Sequence, residues 1–229
     1  MNYKNIEIKW LGHSGFKIKT LTEEKIIVYI DPFRLFDEDK ELEKADFIFI
    51  THSHYDHCSI EDIRKIVRNG TIIVCTGDCS SKFSHINVNV DLKIVEPNTK
   101  MQFDSFAFNF WCIPAYNNGK HFHDIGEDWV GYVLDFNGTK VYHAGDTDFI
   151  SEMKSLSTAN IDIALLPIGG TYTMNAGEAA KAASIITPKL AIPMHFGVVE
   201  KTGDKSEGNV FLKNCGILGV EAKVLEVEE

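Results

Sequence analysis

The sequence predicts an α/β fold in which helices cover two mixed β-sheets, and three patterns along the chain lead to this prediction. Early runs such as Ile6–Gly12 alternate apolar and polar residues, as half-buried antiparallel strands do. Later runs, among them 46–50 and 161–168, are apolar throughout, as in strands covered on both faces. Hairpins occur in both halves, and helical patterns lie between the later strands.

Each element follows from its periodicity and from the residues at its ends. Strands are predicted at 6–12, 16–20, 25–30, 46–50, 71–75, 106–113, 161–168 and 189–195, with a hairpin turn at Asn137-Gly138. A helix over 59–70 has Ser59 as its cap and ends at Gly70. A second helix over 175–186 begins with a capping box, and the tail predicts a short helix at 209–214 and a last strand over 222–227.

Length and composition favour a single domain spanning 1–229. The chain has 229 residues, 44% of them hydrophobic, so it can bury a core without disulfides. Its five cysteines include no C-x-x-C pair, which indicates a reduced, intracellular protein. The first residues do not resemble a signal peptide, and no apolar run reaches the roughly 18 residues of a membrane span. We therefore expect a soluble cytoplasmic protein; the sequence does not indicate its oligomeric state.

The net charge of −10 disfavours binding to long RNA or DNA, because phosphate recognition needs clustered Lys and Arg. A small anionic substrate held by a metal ion remains compatible with this charge. The expected partner is therefore a small molecule.

Residues 51–59, THSHYDHCS, concentrate metal-binding side chains directly after the apolar run 46–50. Two further metal-binding side chains, Asp146 and His195, also follow apolar strands. Ligands at strand ends meet on one rim, and imidazole and carboxylate groups suit zinc, manganese or iron. His52 and His54, two residues apart in an extended loop, point the same way. The remaining ligands would serve a second ion: Asp56, His57, Asp146 as a bridge, and His195.

The segments HSHYDH, HAGDTD (143–148) and IPMH (192–195) together resemble the metallo-β-lactamase-fold hydrolase superfamily. WLGHSGFKI and IDPF resemble a branch that includes ascorbate-6-phosphate lactonase-like proteins, and the similarity spans about residues 6–196. The resemblance implies a four-layer αββα sandwich with metals at the edge between its sheets. It implies two ions, Zn²⁺ with Mn²⁺ or Fe²⁺ as alternatives. His52 and His54 would bind the first, Asp56, His57 and His195 the second, and Asp146 both.

The chain departs from this family where a third histidine of the first metal site is expected. IPAYN offers Tyr116 there, and KHFHD brings His121 and His123 a few residues later. Either His123, or with lower preference His121, replaces the missing ligand, or the first site has two histidines completed by Asp146 and water. Tyr116 is a hydrogen-bond donor to substrate or an aromatic residue at the edge of the core.

Other residues on the predicted rim have weaker signals. Asp31 ends a strand and is a candidate partner for a ligand histidine, because such ligands need their second ring nitrogen held. His13 and His143 are interpreted as structural or as supports for ligands. Asp148 is ambiguous, and one interpretation is a cap for the helix that begins near Ile150. Residues 169–172 are expected to line the substrate pocket.

These ligands predict a metal-dependent hydrolase in which a metal-activated water attacks a small anionic ester, lactone or phosphodiester. Asp56 would orient the water and take its proton, and Tyr116, His121 or His123 would protonate the leaving group. Two alternatives remain open. One is a non-catalytic metal-binding domain with a depleted first site, and the other is a nuclease or phosphodiesterase of the same fold.

Overall fold

The computed structural model describes residues 1–35, 42–198, 204 and 206–227. Backbone contacts divide the chain into two compact units. The first comprises Met1–Glu96 and the C-terminal residues from Glu226, and the second comprises Pro97–Leu225. Each unit contains its own mixed β-sheet and helices. The single domain spanning 1–229 stays a prediction.

The sheet of the first unit follows chain order from one edge to the other. Its strands are β1 (Asn2–Tyr3), β2 (Ile6–Gly12), β3 (Gly15–Thr20), β4 (Ile27–Ile30), β5 (Phe47–Phe49), β6 (Ile72–Thr76) and β7 (Asp91–Val95). Neighbours from β1 to β4 are antiparallel, and neighbours from β4 to β7 are parallel. The predicted alternation of β2 and the predicted full burial of β5 are both confirmed.

Helix α1 (Ile60–Ile66) packs its apolar face into the core of the first unit. Ser59 caps it as predicted, accepting a hydrogen bond from the backbone N–H of Asp62. The helix ends earlier than predicted because Val67 is already extended. Ile63 and Ile66 are fully buried, and burial of such a side chain contributes about 1.5–3 kcal/mol.

The sheet of the second unit runs in the order β13-β12-β11-β10-β9-β8. Its strands are β8 (Lys100–Phe103), β9 (Phe108–Pro114), β10 (Val130–Phe136), β11 (Thr139–His143), β12 (Ile163–Pro167) and β13 (Leu190–Met194). Strands β8 to β11 are antiparallel neighbours, and β11 to β13 are parallel. The predicted hairpin at Asn137-Gly138 is the β10–β11 turn, where both residues have positive φ angles.

Helices α2 (Ala176–Ile186) and α3 (Glu207–Ile217) belong to the second unit. The predicted capping box is present at the start of α2: Asn175 accepts from the backbone of Glu178, whose side chain accepts from the backbone of Asn175. Short 3₁₀ segments complete the described elements at Gly77–His85, Asp104–Phe106, Ile125–Glu127 and Ser151–Thr158. Among the described residues, none of the helices combines the length and the apolarity that a bilayer crossing requires.

The strand predicted over 222–227 is wrong. Ala222 and Val227 each form a single isolated bridge, to Ala191 and Trp10 respectively. Most residues from 221 to 226 are exposed or half-buried, so the segment lacks the buried face that would favour a continuous ladder.

Strand direction explains where the predicted ligands emerge. In the first unit β2, β4 and β5 run in the same direction, so the segments that follow them leave the sheet at one edge. These segments contain His13, Asp31 and the motif 52–57. In the second unit β9, β11, β12 and β13 share a direction, and the segments that follow them carry His123, Asp146 and His195.

Candidate metal-binding clusters

The motif that follows β5 is folded back on itself. The backbone N–H groups of His57 and Cys58 both donate to the carbonyl of His54, which closes a turn around Tyr55 and Asp56. The ammonium group of Lys82 donates to the carbonyl of Ser53 and holds the loop from the other side. The turn lets side chains that are close in sequence converge on one region of space.

Asp31 and Thr51 form the base of this arrangement. The carboxylate of Asp31, fully buried, accepts from Nδ1 of His57 at 2.7 Å and from the hydroxyl of Thr51 at 2.7 Å. The backbone N–H of Thr51 donates to the other carboxylate oxygen at 2.8 Å. Asp31 is therefore the partner of a candidate ligand histidine, the role that the sequence suggested for it.

These hydrogen bonds determine the tautomers of two histidines. A carboxylate only accepts, so His57 carries its proton on Nδ1 and presents a lone pair on Nε2. The single hydroxyl proton of Thr51 goes to Asp31, so Thr51 Oγ1 accepts from His52 Nδ1 at 2.9 Å. His52 likewise presents its Nε2 lone pair. Both rings have the protonation that metal ligands need.

The Nε2 atom of His52 lies 3.0 Å from Nδ1 of His54. His52 has its proton on the opposite nitrogen, so this contact is either an N–H···N hydrogen bond from His54 or a pair of lone pairs directed at one cation. In this loop the side chains of His52 and His54 point the same way, as the sequence predicts. His52 is buried and His54 is half-buried.

Asp56 contacts His13, a residue that the sequence indicated only as structural or as a support for ligands. Its Oδ2 atom lies 3.0 Å from Nε2 of His13, whose side chain is fully buried in the turn after β2. We call His13, His52, His54, Asp56 and His57 the first-unit cluster. His13 has one signal in the sequence, its position in the family-like stretch WLGHSGF, whereas no sequence pattern indicates its contact with Asp56.

In the second unit, Asp146 is the centre of a separate group of ligands. Its Oδ2 atom lies 2.9 Å from Nε2 of His195 and 3.3 Å from Nε2 of His123, and all three side chains are buried. Two imidazole nitrogens directed at one carboxylate oxygen form a donor set typical of a metal ligand group. We call His123, Asp146 and His195 the second-unit cluster.

Asn117 holds His123 in place, although no sequence pattern predicts a role for Asn117. Its side-chain Nδ2 donates to the carbonyls of Tyr172 at 2.7 Å and Phe122 at 3.0 Å, and lies 3.2 Å from Nδ1 of His123. Its backbone N–H donates to the carbonyl of His123 at 2.7 Å. This side chain ties the segment after β9 to the segment after β12, which connects the predicted pocket loop 169–172 with His123.

The other candidates in this segment occupy different positions. His121 is exposed, whereas His123 is 3% exposed and packs against Trp129 with ring centroids 5.4 Å apart. The hydroxyl of Tyr116 donates to the carboxylate of Glu152 at 3.2 Å. Burial and the charge of Glu152 raise the pKa of Tyr116. A role for Tyr116 as proton donor therefore requires that its hydroxyl leave Glu152.

Asp148 is not a helix cap, and that prediction is wrong. The 3₁₀ segment Ser151–Thr158 begins without a side-chain cap. The carboxylate of Asp148 instead accepts from the backbone N–H of Asn118 at 2.9 Å and from the ammonium group of Lys120. Lys120 also donates to the carbonyl of Thr173 at 2.6 Å, so its charge serves to join loops of this unit.

His143 is buried, and its Nδ1 accepts from the backbone N–H of Gly145 at 3.2 Å. This contact shapes the turn that leads from β11 to Asp146, which agrees with a structural interpretation of His143. His85 is exposed and contributes to neither cluster.

Three cluster residues and the supporting residue Asp31 have a left-handed backbone that non-glycine residues rarely adopt. The φ angles are +51° for His13, +44° for Asp31, +60° for His123 and +58° for His195. Such a conformation costs about 1–3 kcal/mol and is found where the surroundings over-determine it, often at functional sites. In both units the strain occurs directly at the candidate ligands or at their support.

The donor sets fit divalent metal ions. Each cluster consists of imidazole nitrogens and carboxylate oxygens, most of them buried, at separations of 2.9–3.3 Å between candidate ligand atoms. Adjacent ligands of one ion with metal–ligand distances of about 2.0–2.2 Å lie roughly 3 Å apart. The tautomers of His52 and His57 point to the same conclusion, because they leave a lone pair and not a proton on Nε2.

The chain was compared with known proteins. Residues 7–195 match the family model described as the β-lactamase superfamily domain. A UPF0173 metal-dependent hydrolase from Archaeoglobus fulgidus is 31% identical over 98% of this chain and 97% of its own length. This chain belongs to the UPF0173 family of the β-lactamase superfamily. The superfamily resemblance predicted from HSHYDH, HAGDTD and IPMH is therefore confirmed.

Solved structures agree with this membership. A protein from Parabacteroides distasonis is 28% identical, with a TM-score of 0.81 over 97% of this chain and 94% of that one. The metallo-β-lactamase fold protein YhfI from Bacillus subtilis, 13% identical, has a TM-score of 0.71 over 96% of each chain, which shows the fold alone. The predicted fold class, two mixed sheets with flanking helices of the metallo-β-lactamase type, is confirmed.

Proposed function

We propose that this chain is a metal-dependent hydrolase that acts on a small anionic ester, lactone or phosphodiester, with two zinc-type ions as cofactors. The observation that carries the proposal is the Asp31–Thr51 network, which holds His52 and His57 in the tautomer of metal ligands. Such a network is needed for ligation and has no evident use in packing. Membership of the UPF0173 family, whose relatives are named metal-dependent hydrolases, supports the same function.

The proposed ligands are the residues of both clusters except His13. His52, His54 and His123 would hold the first ion, Asp56, His57 and His195 would hold the second, and Asp146 would contribute to both. His123 is preferred to His121 as the replacement for the missing third histidine because it is buried and directed at Asp146, whereas His121 is exposed. Manganese and iron are alternatives to zinc, since the same donor types suit them.

Divalent ions bound to such ligands supply a lowered pKa of bound water and polarisation of the scissile carbonyl or phosphoryl group. The side chains of the protein orient the reactants and move protons. Asp56 would orient the attacking water and accept its proton, a role that suits a carboxylate whose Oδ2 atom already lies 3.0 Å from Nε2 of His13. Tyr116 would protonate the leaving group, and His123 would do so in its place where it is not a ligand.

An Asp56→Asn variant tests this assignment. Asparagine keeps the shape of the side chain but loses the negative charge and the ability to accept a proton, so turnover should fall by about 10²–10⁴-fold. The wild-type protein, loaded with zinc or manganese, would first be assayed against a panel of lactones, esters and phosphodiesters. Hydrolysis of the best substrate by the variant is then compared.

Asp91→Asn is the matched control, since Asp91 is an exposed aspartate on β7 of the same unit. It should hydrolyse the substrate at the wild-type rate. Unchanged turnover by Asp56→Asn would remove Asp56 from the mechanism. A metal-loaded wild-type protein that hydrolyses no member of the panel would favour the alternative of a non-catalytic metal-binding domain.

A further inference from the structure

His13 is a buried imidazole to which the proposed function gives no role. Its side chain is 0% exposed in the Gly12–Gly15 turn between β2 and β3. Its ring meets Phe33 and His57 edge-on, with centroids 5.9 and 5.5 Å away. A buried histidine must satisfy both ring nitrogens, so its position calls for a physical explanation.

The conformation of the Gly12–Gly15 turn directs the side chain of His13 into the protein. Strand β2 runs in the direction of β4 and β5, so the turn lies at the edge of the sheet from which Asp31 and the motif 52–57 also emerge. His13 has a left-handed backbone with φ of +51°, and its carbonyl accepts from the indole N–H of Trp10 at 2.9 Å. The backbone is thus fixed in a strained conformation that places the imidazole against the motif.

His13 approaches two candidate ligands, not one. Nε2 lies 3.0 Å from Oδ2 of Asp56. In addition, one ligand atom from each of His13, Asp56 and His57 lies within 4.8 Å of the other two. A histidine that only donated a hydrogen bond to Asp56 would not need to approach the ligand atom of His57 as well. Mutual proximity of three ligand atoms is the arrangement around a single ion.

We infer that His13 is a ligand of the metal ion held by Asp56 and His57. The first unit then supplies three protein ligands to that ion: an imidazole from the turn after β2, and a carboxylate and an imidazole from the motif after β5. The inference rests on the proposed function and extends its ligand set. It also explains why a strained turn and a buried ring occur at a position far from the motif in sequence.

The competing explanation is that His13 positions Asp56 by donating a hydrogen bond to it. Two substitutions separate these explanations. Glutamine at position 13 retains an N–H donor near the place of Nε2 but offers only a weak amide oxygen as ligand. Alanine retains neither. A positioning role therefore survives His13→Gln, whereas a ligand role is lost in both variants.

The measurement is titration of the metal-free full chain with Co²⁺, followed by calorimetry and by the visible absorption of the bound ion, which reports its coordination. If His13 is a ligand, His13→Gln and His13→Ala should both bind the ion of this site about a hundredfold more weakly or worse. That loss lies at or above the upper end of the ~10–100-fold cost of removing a partner of a ligand. Both variants should also change the cobalt spectrum at saturation.

His85→Ala is the control, because His85 is an exposed histidine of the same unit. It should match wild type in affinity and spectrum. If His13→Gln keeps the wild-type affinity and spectrum, His13 is not a ligand and the inference is overturned while the proposed function stands. If the wild-type chain binds no cobalt, both are overturned. Far-ultraviolet circular dichroism of each variant establishes that it is folded, and His13→Gln alone decides the question if His13→Ala does not fold.

Discussion

At the scale of single residues, the candidate ligands are oriented by hydrogen bonds to residues outside the cluster. Asp31 accepts from both Thr51 and His57, and Thr51 accepts from His52. One buried carboxylate thus controls two rings. Because the groups beyond the ligands decide which ring nitrogen carries the proton, removing one of them typically costs about 10–100-fold in metal affinity.

Thr51→Val should lower the metal affinity about 10–100-fold. Valine has nearly the shape of threonine but cannot accept from His52 Nδ1, so the ring loses the hydrogen bond that holds its tautomer. Isothermal titration with zinc or cobalt measures the change. Thr76→Val is the matched control, since Thr76 is a buried threonine at the end of β6 whose hydroxyl binds Asp78. Equal losses in both variants would mean that the effect of Thr51 is general and not directed at the ligands.

At the scale of elements, strand ends determine where the ligands lie, and one close backbone approach fixes the end of β11. A Cβ atom on Gly131 of β10 would lie 2.7 Å from the carbonyl oxygens of both His143 and Ala144. These residues lead directly into the turn that presents Asp146. Position 131 thus requires glycine because these carbonyl oxygens leave no room for a Cβ atom. The backbone of Gly131 supports the turn that carries Asp146 of the second-unit cluster.

Gly131→Ala should reduce the free energy of unfolding by about 1–3 kcal/mol, the usual cost of overpacking. It should also weaken metal binding, because the backbone before Asp146 must shift. Urea denaturation and metal titration measure the two effects. Gly216→Ala provides the comparison: no atom lies within 4 Å of its added Cβ, so in helix α3 it should be neutral or stabilising. A Gly131→Ala protein with wild-type stability would show that the strand pair can separate without cost.

The sequence predicted those parts of the molecule that depend on nearby residues. The capping box of α2, the Asn137-Gly138 hairpin and the motif 52–57 are all local patterns, and the first two are confirmed. The contact of His13 with Asp56 depends on the direction of β2, and the role of Asn117 depends on the carbonyls of Phe122 and Tyr172. No local pattern encodes such contacts. Asp148 was misassigned because its partners, Asn118 and Lys120, lie 28 or more positions earlier in the chain.

At the scale of the whole molecule, two compact units each contain a cluster of imidazoles and carboxylates. The net charge of −10 makes the chain more receptive to cations than to polyanions. Metal binding by the folded chain should therefore contribute measurably to its stability. A ligand at about 100 times its Kd stabilises a folded protein by roughly 2.7 kcal/mol.

Zinc loading should raise the melting temperature by about 5–10 °C under those conditions, given the usual ~2–4 °C per kcal/mol for a chain of this size. Differential scanning calorimetry of the chelated and loaded protein measures the shift. His123→Ala should reduce the shift, whereas His121→Ala, a change to an exposed neighbour, should keep it. An undiminished shift in His123→Ala would exclude His123 from the ligands.

The direction of the strands has a consequence for how this chain can vary. In the second unit the β10–β11 turn lies at the end of the hairpin opposite to the segment that leads into Asp146. The added Cβ of Gly138 in that turn has no neighbour within 4 Å. Insertions, tags or changes of sequence at Asn137-Gly138 are thus remote from the second-unit cluster. This end of the sheet can accept such changes, while the candidate ligands stay at the opposite end.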